Sequence, residues 1–107
     1  MPKAIIVREY GSSKVLRMED ARVEEPGERE LLIRQTAIGV NFHDVYVRSG
    51  LYKTLDLPGI PGCEATGIVE GVGRGISRFR SGDRIAYITS GYGAYVTHRV
   101  LEENLAL

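Results

Sequence analysis

The sequence of 107 residues contains 14 Lys and Arg against 14 Asp and Glu, so its formal net charge is zero. A neutral chain has no overall field that attracts polyanions, which argues against nucleic acid and anionic membranes as partners. With 43% apolar and 26% charged residues, the composition is that of one folded globular domain with its own core.

The first third of the chain predicts short strands separated by turns. Lys3–Arg8 is the first predicted strand, and the turn Gly11-Ser12-Ser13 leads into a second, Val15–Asp20, so the pair is expected to form a hairpin. After the turn Pro26-Gly27-Glu28, the run Glu30–Val40 predicts a long strand that crosses the core.

The pattern between Asn41 and Gly50 is that of a short helix. Side chains recur at three- and four-residue spacing in this segment, at Phe42, Val45, Tyr46 and Ser49. Asn41 can accept hydrogen bonds from the first turn, and Asp44 occupies the third helical position. Gly50 can adopt the left-handed backbone conformation that commonly ends a helix. Both ends of the helix are therefore marked in the sequence.

The rest of the chain returns to strands. Leu51–Cys63 contains two prolines and two glycines and predicts an irregular surface loop. Ala65–Val72, Asp83–Ile88 and Ala94–Val100 are the remaining predicted strands. The total of about seven strands and one helix predicts a mainly β fold, a small irregular barrel. Because Glu102–Leu107 ends on apolar residues, we expect that the chain has been shortened.

The single cysteine, Cys63, cannot form an internal disulfide, which excludes a secreted disulfide scaffold and favours a reducing, cytoplasmic setting. The only apolar run near the start, Ala4–Val7, is too short for a signal-peptide core or a membrane span. We expect no membrane association.

Two motifs suggest phosphate binding but have simpler explanations. Gly71–Ile76 has two of the three glycines of a dinucleotide-binding fingerprint, but Ile76 stands at the third and no helical pattern follows. A glycine-rich connection between strands accounts for it better. The nearby basic residues could meet an adenylate phosphate, although a solvated hairpin is the simpler interpretation. They are Arg74, Arg78, Arg80 and Arg84.

Few residues could serve a metal or proton-transfer site. A zinc site needs three or four ligands, and the Cys and His residues available are Cys63, His43 and His98. Beside Gly62, Cys63 is expected to be a small buried apolar residue. His43 could transfer protons, but a partly exposed histidine satisfied by the backbone is the preferred interpretation.

Tyr46 and Tyr52 flank Gly50, one on the helix and one in the following loop. Their phenols could converge near Asn41 at the helix start, where they could hydrogen-bond a ligand. Packing of two amphipathic rings is an equally good explanation. The residues alone leave these alternatives open.

Taken in order, four segments resemble the quinone oxidoreductases related to zeta-crystallin, which are members of the medium-chain dehydrogenase/reductase superfamily. The segments are Ala37–Asp44 (AIGVNFHD), Arg48–Tyr52 (RSGLY), Pro61–Glu64 (PGCE) and Gly82–Tyr87 (GDRIAY). The resemblance implies a GroES-like barrel, in agreement with the strand count. Residues 1–107 would form this catalytic domain.

The resemblance also implies that zinc is absent. In the zinc alcohol dehydrogenases of the superfamily, a ligand cysteine stands at the position of Asn41 and a ligand histidine at that of Cys63. The lobe that carries their structural zinc should follow Ile88, but Thr89–Gly93 closes the gap directly.

For the chemistry, the resemblance implies direct hydride transfer from NADPH to a quinone. Protein donors would replace the metal, with Asn41, Tyr46 and Tyr52 orienting the carbonyl or stabilising its developing charge. Asn41 and Phe42 would meet the nicotinamide. Asp44 would have a structural role, and Glu64 would at most support the donors.

Family members are about three times this length, so a Rossmann domain is expected beyond Leu107. The chain alone should then be inactive and bind NADPH weakly. In the family, a returning carboxy-terminal segment completes the barrel, so an apolar face exposed here could promote association into a homodimer.

Two other hypotheses remain open at this stage. One is a free-standing GroES-like binding or scaffold module without a cofactor. The other is a remnant of a zinc alcohol dehydrogenase in which Cys63 and His43 survive as ligands.

Overall fold

The computed structural model describes all 107 residues and contains six β-strands and one α-helix. In chain order they are β1 Lys3–Ile6, β2 Arg17–Asp20, β3 Glu30–Ile38, α1 Phe42–Ser49, β4 Glu64–Val72, β5 Arg84–Ile88 and β6 His98–Glu102. Strands β1 and β2 form a two-stranded sheet, and a second sheet has the order β5-β4-β3-β6. Neither sheet closes on itself, so the prediction of a mainly β, incomplete barrel is confirmed.

The predicted amino-terminal hairpin is present, but both of its strands are shorter than expected. β1 and β2 pair antiparallel from Lys3–Asp20 to Ile6–Arg17. Val7 leaves the hairpin and exchanges two backbone hydrogen bonds with Gly59 (2.8 and 3.0 Å). Ser13–Val15 form a short 3-10 helix, so the prediction of strand is wrong at Val15, and β2 begins only at Arg17.

The main core lies on one face of the four-stranded sheet. All neighbouring strands pair antiparallel, and Leu31 and Ile33, two residues apart on β3, both point inward. Leu31, Ile33, Val69, Tyr87 and Leu101 are almost fully buried there. Each such apolar side chain contributes about 2 kcal/mol by leaving water.

The predicted strand Ala94–Val100 is wrong over its first four residues. Val96 donates its N–H to the Ala94 carbonyl (2.8 Å), which makes a tight local turn rather than a strand. The Gln35 side-chain amide donates to the same Ala94 carbonyl (2.7 Å) and to that of Val96 (2.8 Å). The backbone around these carbonyls contacts β1, since the Tyr95 carbonyl accepts from the Ile5 N–H (2.9 Å) and the Thr97 N–H donates to the Lys3 carbonyl (2.8 Å). The segment therefore makes an isolated bridge to β1, and the regular strand β6 begins only at His98.

A second, smaller core fixes the helix to the segments around it. Val47 of α1 is fully buried in one cluster with Val7, Leu55 and Tyr92. The expectation of a surface loop over residues 51–63 is therefore wrong at Leu55 and also at Pro61, which is fully buried. This cluster determines which face of α1 is exposed.

The glycine-rich and basic segments form a connection between strands. Gly71 lies within β4, and no helix follows it. Gly75 takes a positive φ of 79° in the turn toward β5. Arg74, Arg78, Arg80 and Arg84 are all exposed, and the Asp83 carboxylate accepts a hydrogen bond from the Arg80 N–H (3.0 Å). The interpretation as a solvated hairpin agrees with this geometry.

The last residues pack back onto the sheet. Glu103–Leu105 form a short 3-10 helix, and Leu107 and Ala86 exchange backbone hydrogen bonds (2.8 and 3.3 Å). No helix in the structure has the length and apolar character needed to cross a lipid bilayer.

Candidate active site at the start of the helix

The start of α1 is stabilised by a reciprocal arrangement of Asn41 and Asp44. Asp44 donates its N–H to the Asn41 backbone carbonyl (3.0 Å), and the Asp44 carboxylate accepts from the Asn41 N–H (3.0 Å). In return, the Asn41 side chain faces the Asp44 N–H, which completes a capping box. This geometry agrees with the predicted position of Asn41 at the helix cap. Asn41 is exposed, and its side-chain NH₂ group can still meet a ligand.

Gly50 ends the helix as predicted, with a left-handed φ of 90°. A residue with a Cβ is disfavoured in this conformation, and glycine is not. The turn brings Tyr52 back to Tyr46, whose carbonyl accepts from the Tyr52 N–H (3.1 Å). The chain reversal therefore places the two tyrosines side by side.

The two phenol rings meet edge to face, with ring centroids 5.4 Å apart. Neither is sealed in the core, since Tyr46 is 38% and Tyr52 44% exposed. Phe42, at the start of the same helix, is 80% exposed. The four candidate residues Asn41, Phe42, Tyr46 and Tyr52 thus all lie at the surface on one helix and the loop that follows it. Neither phenol hydroxyl has a hydrogen-bond partner within the protein, so both can donate to a ligand.

His43 has different partners from those expected. Its Nε2 lies 3.1 Å from the Tyr92 hydroxyl, so the expected backbone partner is wrong. Its ring stacks on Tyr92 (centroids 5.9 Å apart) and tilts against Tyr52 (5.5 Å). His43 therefore extends the Tyr46–Tyr52 pair into one continuous group of rings.

Asp44 is 5% exposed and collects hydrogen bonds from three segments. Besides the Asn41 N–H, its carboxylate accepts from the Tyr95 hydroxyl (2.7 Å) and, weakly, from the Cys63 thiol (3.8 Å). Burial first and the Asp44 carboxylate second raise the pKa of the Tyr95 phenol. The same two causes, in the same order, raise the pKa of the Cys63 thiol. Both groups are held in their neutral, donating forms.

The residues considered as metal ligands do not come together. Cys63 contacts Asp44, His43 contacts Tyr92, and His98 lies 3.7 Å from Glu70 on the sheet. No group of three His, Cys, Asp or Glu side chains has the geometry to hold a metal ion. Glu64, the weakest candidate, begins β4, and its backbone carbonyl accepts from the Gly39 N–H (3.1 Å).

Sequence reasoning missed Tyr92 and Tyr95, and also Thr54, whose Oγ1 lies 2.5 Å from the Tyr92 hydroxyl. Tyr92 and Tyr95 lie about fifty residues beyond the helix, and no local pattern connects them to it. The one available signal was Gly91-Tyr92-Gly93, in which two glycines allow a sharp turn around a tyrosine.

An apolar groove of about 350 Å³ lies beside the site, between the hairpin and β3. Its walls include Ile5, Met18, Ile38 and Val40, and none of the candidate site residues lines it. An exposed apolar face was expected from the incomplete barrel, and this groove has that character.

Comparison with known proteins identifies the family. The model of the alcohol dehydrogenase GroES-like domain matches residues 27–106. The chain is 48% identical over 103 residues to a quinone oxidoreductase of Pseudomonas aeruginosa, covering 96% of this chain and 32% of that protein. It is 38% identical over 108 residues to quinone oxidoreductase 1 of Escherichia coli, covering 100% and 33%.

Solved structures give the same result. A quinone oxidoreductase of Pseudomonas syringae superimposes with a TM-score of 0.90 at 43% identity, covering all of this chain and 33% of that one. The Escherichia coli quinone oxidoreductase in complex with NADPH gives 0.91 at 37% identity, covering 98% and 32%. The chain spans about a third of the length of the curated relatives it matches. It belongs to the alcohol dehydrogenase GroES-like domain family, as its ordered motifs predicted.

Proposed function

We propose that residues 1–107 are the substrate-side domain of an NADPH-dependent, zinc-independent quinone oxidoreductase. The observation that carries this proposal is the exposed Tyr46–Tyr52 pair at the end of the helix that begins at the exposed Asn41, in a chain that resembles quinone oxidoreductases along its whole length. A quinone carbonyl gains negative charge as it is reduced, and hydrogen-bond donors aimed at it lower the barrier. The two hydroxyls and the amide are such donors.

When bound, NADPH supplies the hydride. The residues of this chain fit only the nicotinamide end of NADPH. Phe42 offers an exposed apolar ring, and Asn41, the residue before it, offers a side-chain amide. The chain has no glycine-rich loop leading into a helix that could hold the phosphates. We therefore propose that a Rossmann domain follows Leu107 in the longer protein, and that the 107 residues alone do not oxidise NADPH.

We propose that the protein does not use zinc, because of the residues that stand at the positions of the zinc ligands. At the helix start, where zinc-containing relatives place metal ligands, this chain has Asn41 and Cys63. No group of three His, Cys, Asp or Glu side chains lies there with the geometry to hold a zinc ion. A reducing setting such as the cytoplasm suits the free thiol of Cys63.

The proposal is tested in the full-length protein that carries this chain, by following NADPH oxidation with 1,4-benzoquinone. We expect the combined variant Asn41→Ala, Tyr46→Phe and Tyr52→Phe to lose about 10²-fold or more in kcat/KM. The matched control is Asn104→Ala, which removes one exposed amide that is not among the candidate donors. Activity that survives unchanged in the triple variant would show that the site assignment is wrong.

Two further readouts separate this proposal from its alternatives. Zinc analysis of the full-length protein should find less than stoichiometric metal, and one zinc per chain would support a zinc alcohol dehydrogenase instead. A reading frame that ends at Leu107 without a Rossmann fingerprint downstream would support a free-standing binding module.

The apolar groove leads to a proposal about assembly. We propose that a later segment of the longer chain covers Met18 and Val40, which are exposed here. Without that segment, the 107-residue chain should associate through this face, in the simplest case as a homodimer. Analytical ultracentrifugation measures the oligomeric state of the short and of the full-length protein. Association through this face is expected for the short chain alone.

A further inference from the structure

A chain of hydrogen bonds leads away from the candidate site through His43. Its Nε2 lies 3.1 Å from the Tyr92 hydroxyl, and that hydroxyl lies 2.5 Å from Thr54 Oγ1. These three residues, His43, Tyr92 and Thr54, come from the helix, from the segment before β6 and from the loop after the helix. We call them the His43 relay.

The two ends of the His43 relay are exposed, and its centre is buried. His43 and Thr54 reach the surface, whereas Tyr92 is 8% exposed. A line of hydroxyls and an imidazole that touches solvent at one end and a reaction site at the other can pass protons inward. Thr54 is the solvent end, and His43 is the end beside Tyr52, at a ring-centroid distance of 5.5 Å.

The backbone holds Tyr92 in its place at an energetic cost. Tyr92 has a φ of 62°, in the left-handed region that is unfavourable for a residue with a side chain. Packing against Val7, Val47 and Leu55 compensates for that cost, and the Tyr92 carbonyl accepts from Arg99 (3.3 Å). The fold therefore maintains a strained conformation that places this phenol against His43.

Reduction of a quinone needs a proton as well as a hydride. Addition of a hydride, with its two electrons, leaves a hydroquinone monoanion, and one O–H bond must then form. The side chains of Tyr46 and Tyr52 are phenols, which are weak acids at neutral pH, whereas imidazole is the side chain that ordinarily exchanges protons there. Among the rings of the site, His43 is the one suited to this step.

We infer that His43 donates the proton that completes the hydroquinone, and that Tyr92 and Thr54 resupply it from solvent. The Nδ1–H bond of the neutral imidazole breaks as the O–H bond of the product forms, and in the same step Nε2 takes the Tyr92 proton. Tyr92 takes that of Thr54, and Thr54 takes one from water. Exchange with solvent then restores the Nδ1–H form of the ring. In the overall reaction, quinone, NADPH and one proton give hydroquinone and NADP⁺. His43 would be a catalytic residue, and the other two would be positioning residues. This inference rests on the proposed function.

The test uses the full-length protein with 1,4-benzoquinone. Glutamine at position 43 keeps a hydrogen-bonding group toward Tyr92 but has no acidic proton to transfer, so His43→Gln should lower kcat about 10²-fold. Its KM should stay within about twofold, since proton supply is not substrate binding. Added imidazole should restore part of the lost rate. His98→Gln, which removes the other histidine, should leave kcat unchanged.

Tyr92→Phe tests the relay itself, because it keeps the ring and removes only the hydroxyl. We expect kcat to fall about tenfold, with a larger solvent deuterium isotope effect. A readout independent of activity is the ¹⁵N NMR shift of His43 Nε2, which should change in Tyr92→Phe and stay unchanged in Tyr10→Phe.

Two outcomes would overturn the inference, and they are distinguishable. An active wild type with an equally active His43→Gln variant would overturn the His43 relay and leave the proposed function standing. A folded wild type without quinone-dependent NADPH oxidation would overturn the proposed function and the relay together.

Discussion

Replacement of Asp44 by alanine should lower the free energy of unfolding far more than the same replacement of any other Asp or Glu residue. Asp44 is one of two buried charged residues, and it bonds to three separate segments. Removing its carboxylate leaves the Tyr95 hydroxyl and the Asn41 N–H without their acceptor.

The size of the loss follows from these contacts. A hydrogen bond from a partly buried hydroxyl to a charged acceptor contributes about 2 kcal/mol, and the Asn41 N–H at the exposed helix start contributes about 1 kcal/mol. The 3.8 Å contact with Cys63 is too long to add much. Asp44→Ala should therefore lower the free energy of unfolding by about 3 kcal/mol.

Urea denaturation followed by circular dichroism measures this value. Asp56→Ala is the matched control, because Asp56 is an exposed aspartate without a side-chain hydrogen bond, and its loss should stay below about 0.5 kcal/mol. A double-mutant cycle with Tyr95→Phe isolates the main contact and should give about 2 kcal/mol of coupling. A loss below about 1 kcal/mol in Asp44→Ala, or no coupling to Tyr95, would refute this account of the helix start.

Three other predictions concern the same region. Because burial and Asp44 raise the pKa of the Cys63 thiol, a disulfide reagent at pH 8 should label it about tenfold more slowly than in the urea-unfolded chain, and Asp44→Asn should speed the reaction. The pKa values of Tyr95 and Tyr87 are raised above 10, so their contribution to the free energy of unfolding is complete below pH 10 and is lost as the pH rises further. Urea titrations between pH 8 and 11 should show this decline, with a smaller slope in Tyr95→Phe. Finally, Gly50→Ala should cost about 2 kcal/mol, since φ is 90° and the new Cβ would lie 2.9 Å from the Tyr10 ring. Gly82→Ala shares a positive φ but meets no atom within 4 Å, so it should cost only about 1 kcal/mol.

The local elements of this protein could be predicted from its sequence because they depend on neighbours in the chain. The helix start at Asn41, the acidic third position at Asp44 and the left-handed stop at Gly50 are all local signals, and all three are where they were predicted. The hairpin β1–β2 was likewise predicted from turn residues and alternation. The family followed from the ordered motifs, and the family match confirms it.

Contacts between distant segments could not be predicted in this way. Nothing near residues 94–97 indicates that the Gln35 side chain would bind the Ala94 and Val96 carbonyls, where a regular strand was expected. Nor does the helix reveal that Asp44 would bind Tyr95 or that His43 would meet Tyr92, each about fifty residues away. Hydrogen bonds of this kind form only after the chain has folded, because burial first removes the competing water. The sequence by itself determined the helix, its caps and the family, whereas only the tertiary structure decided which polar side chains meet at the site.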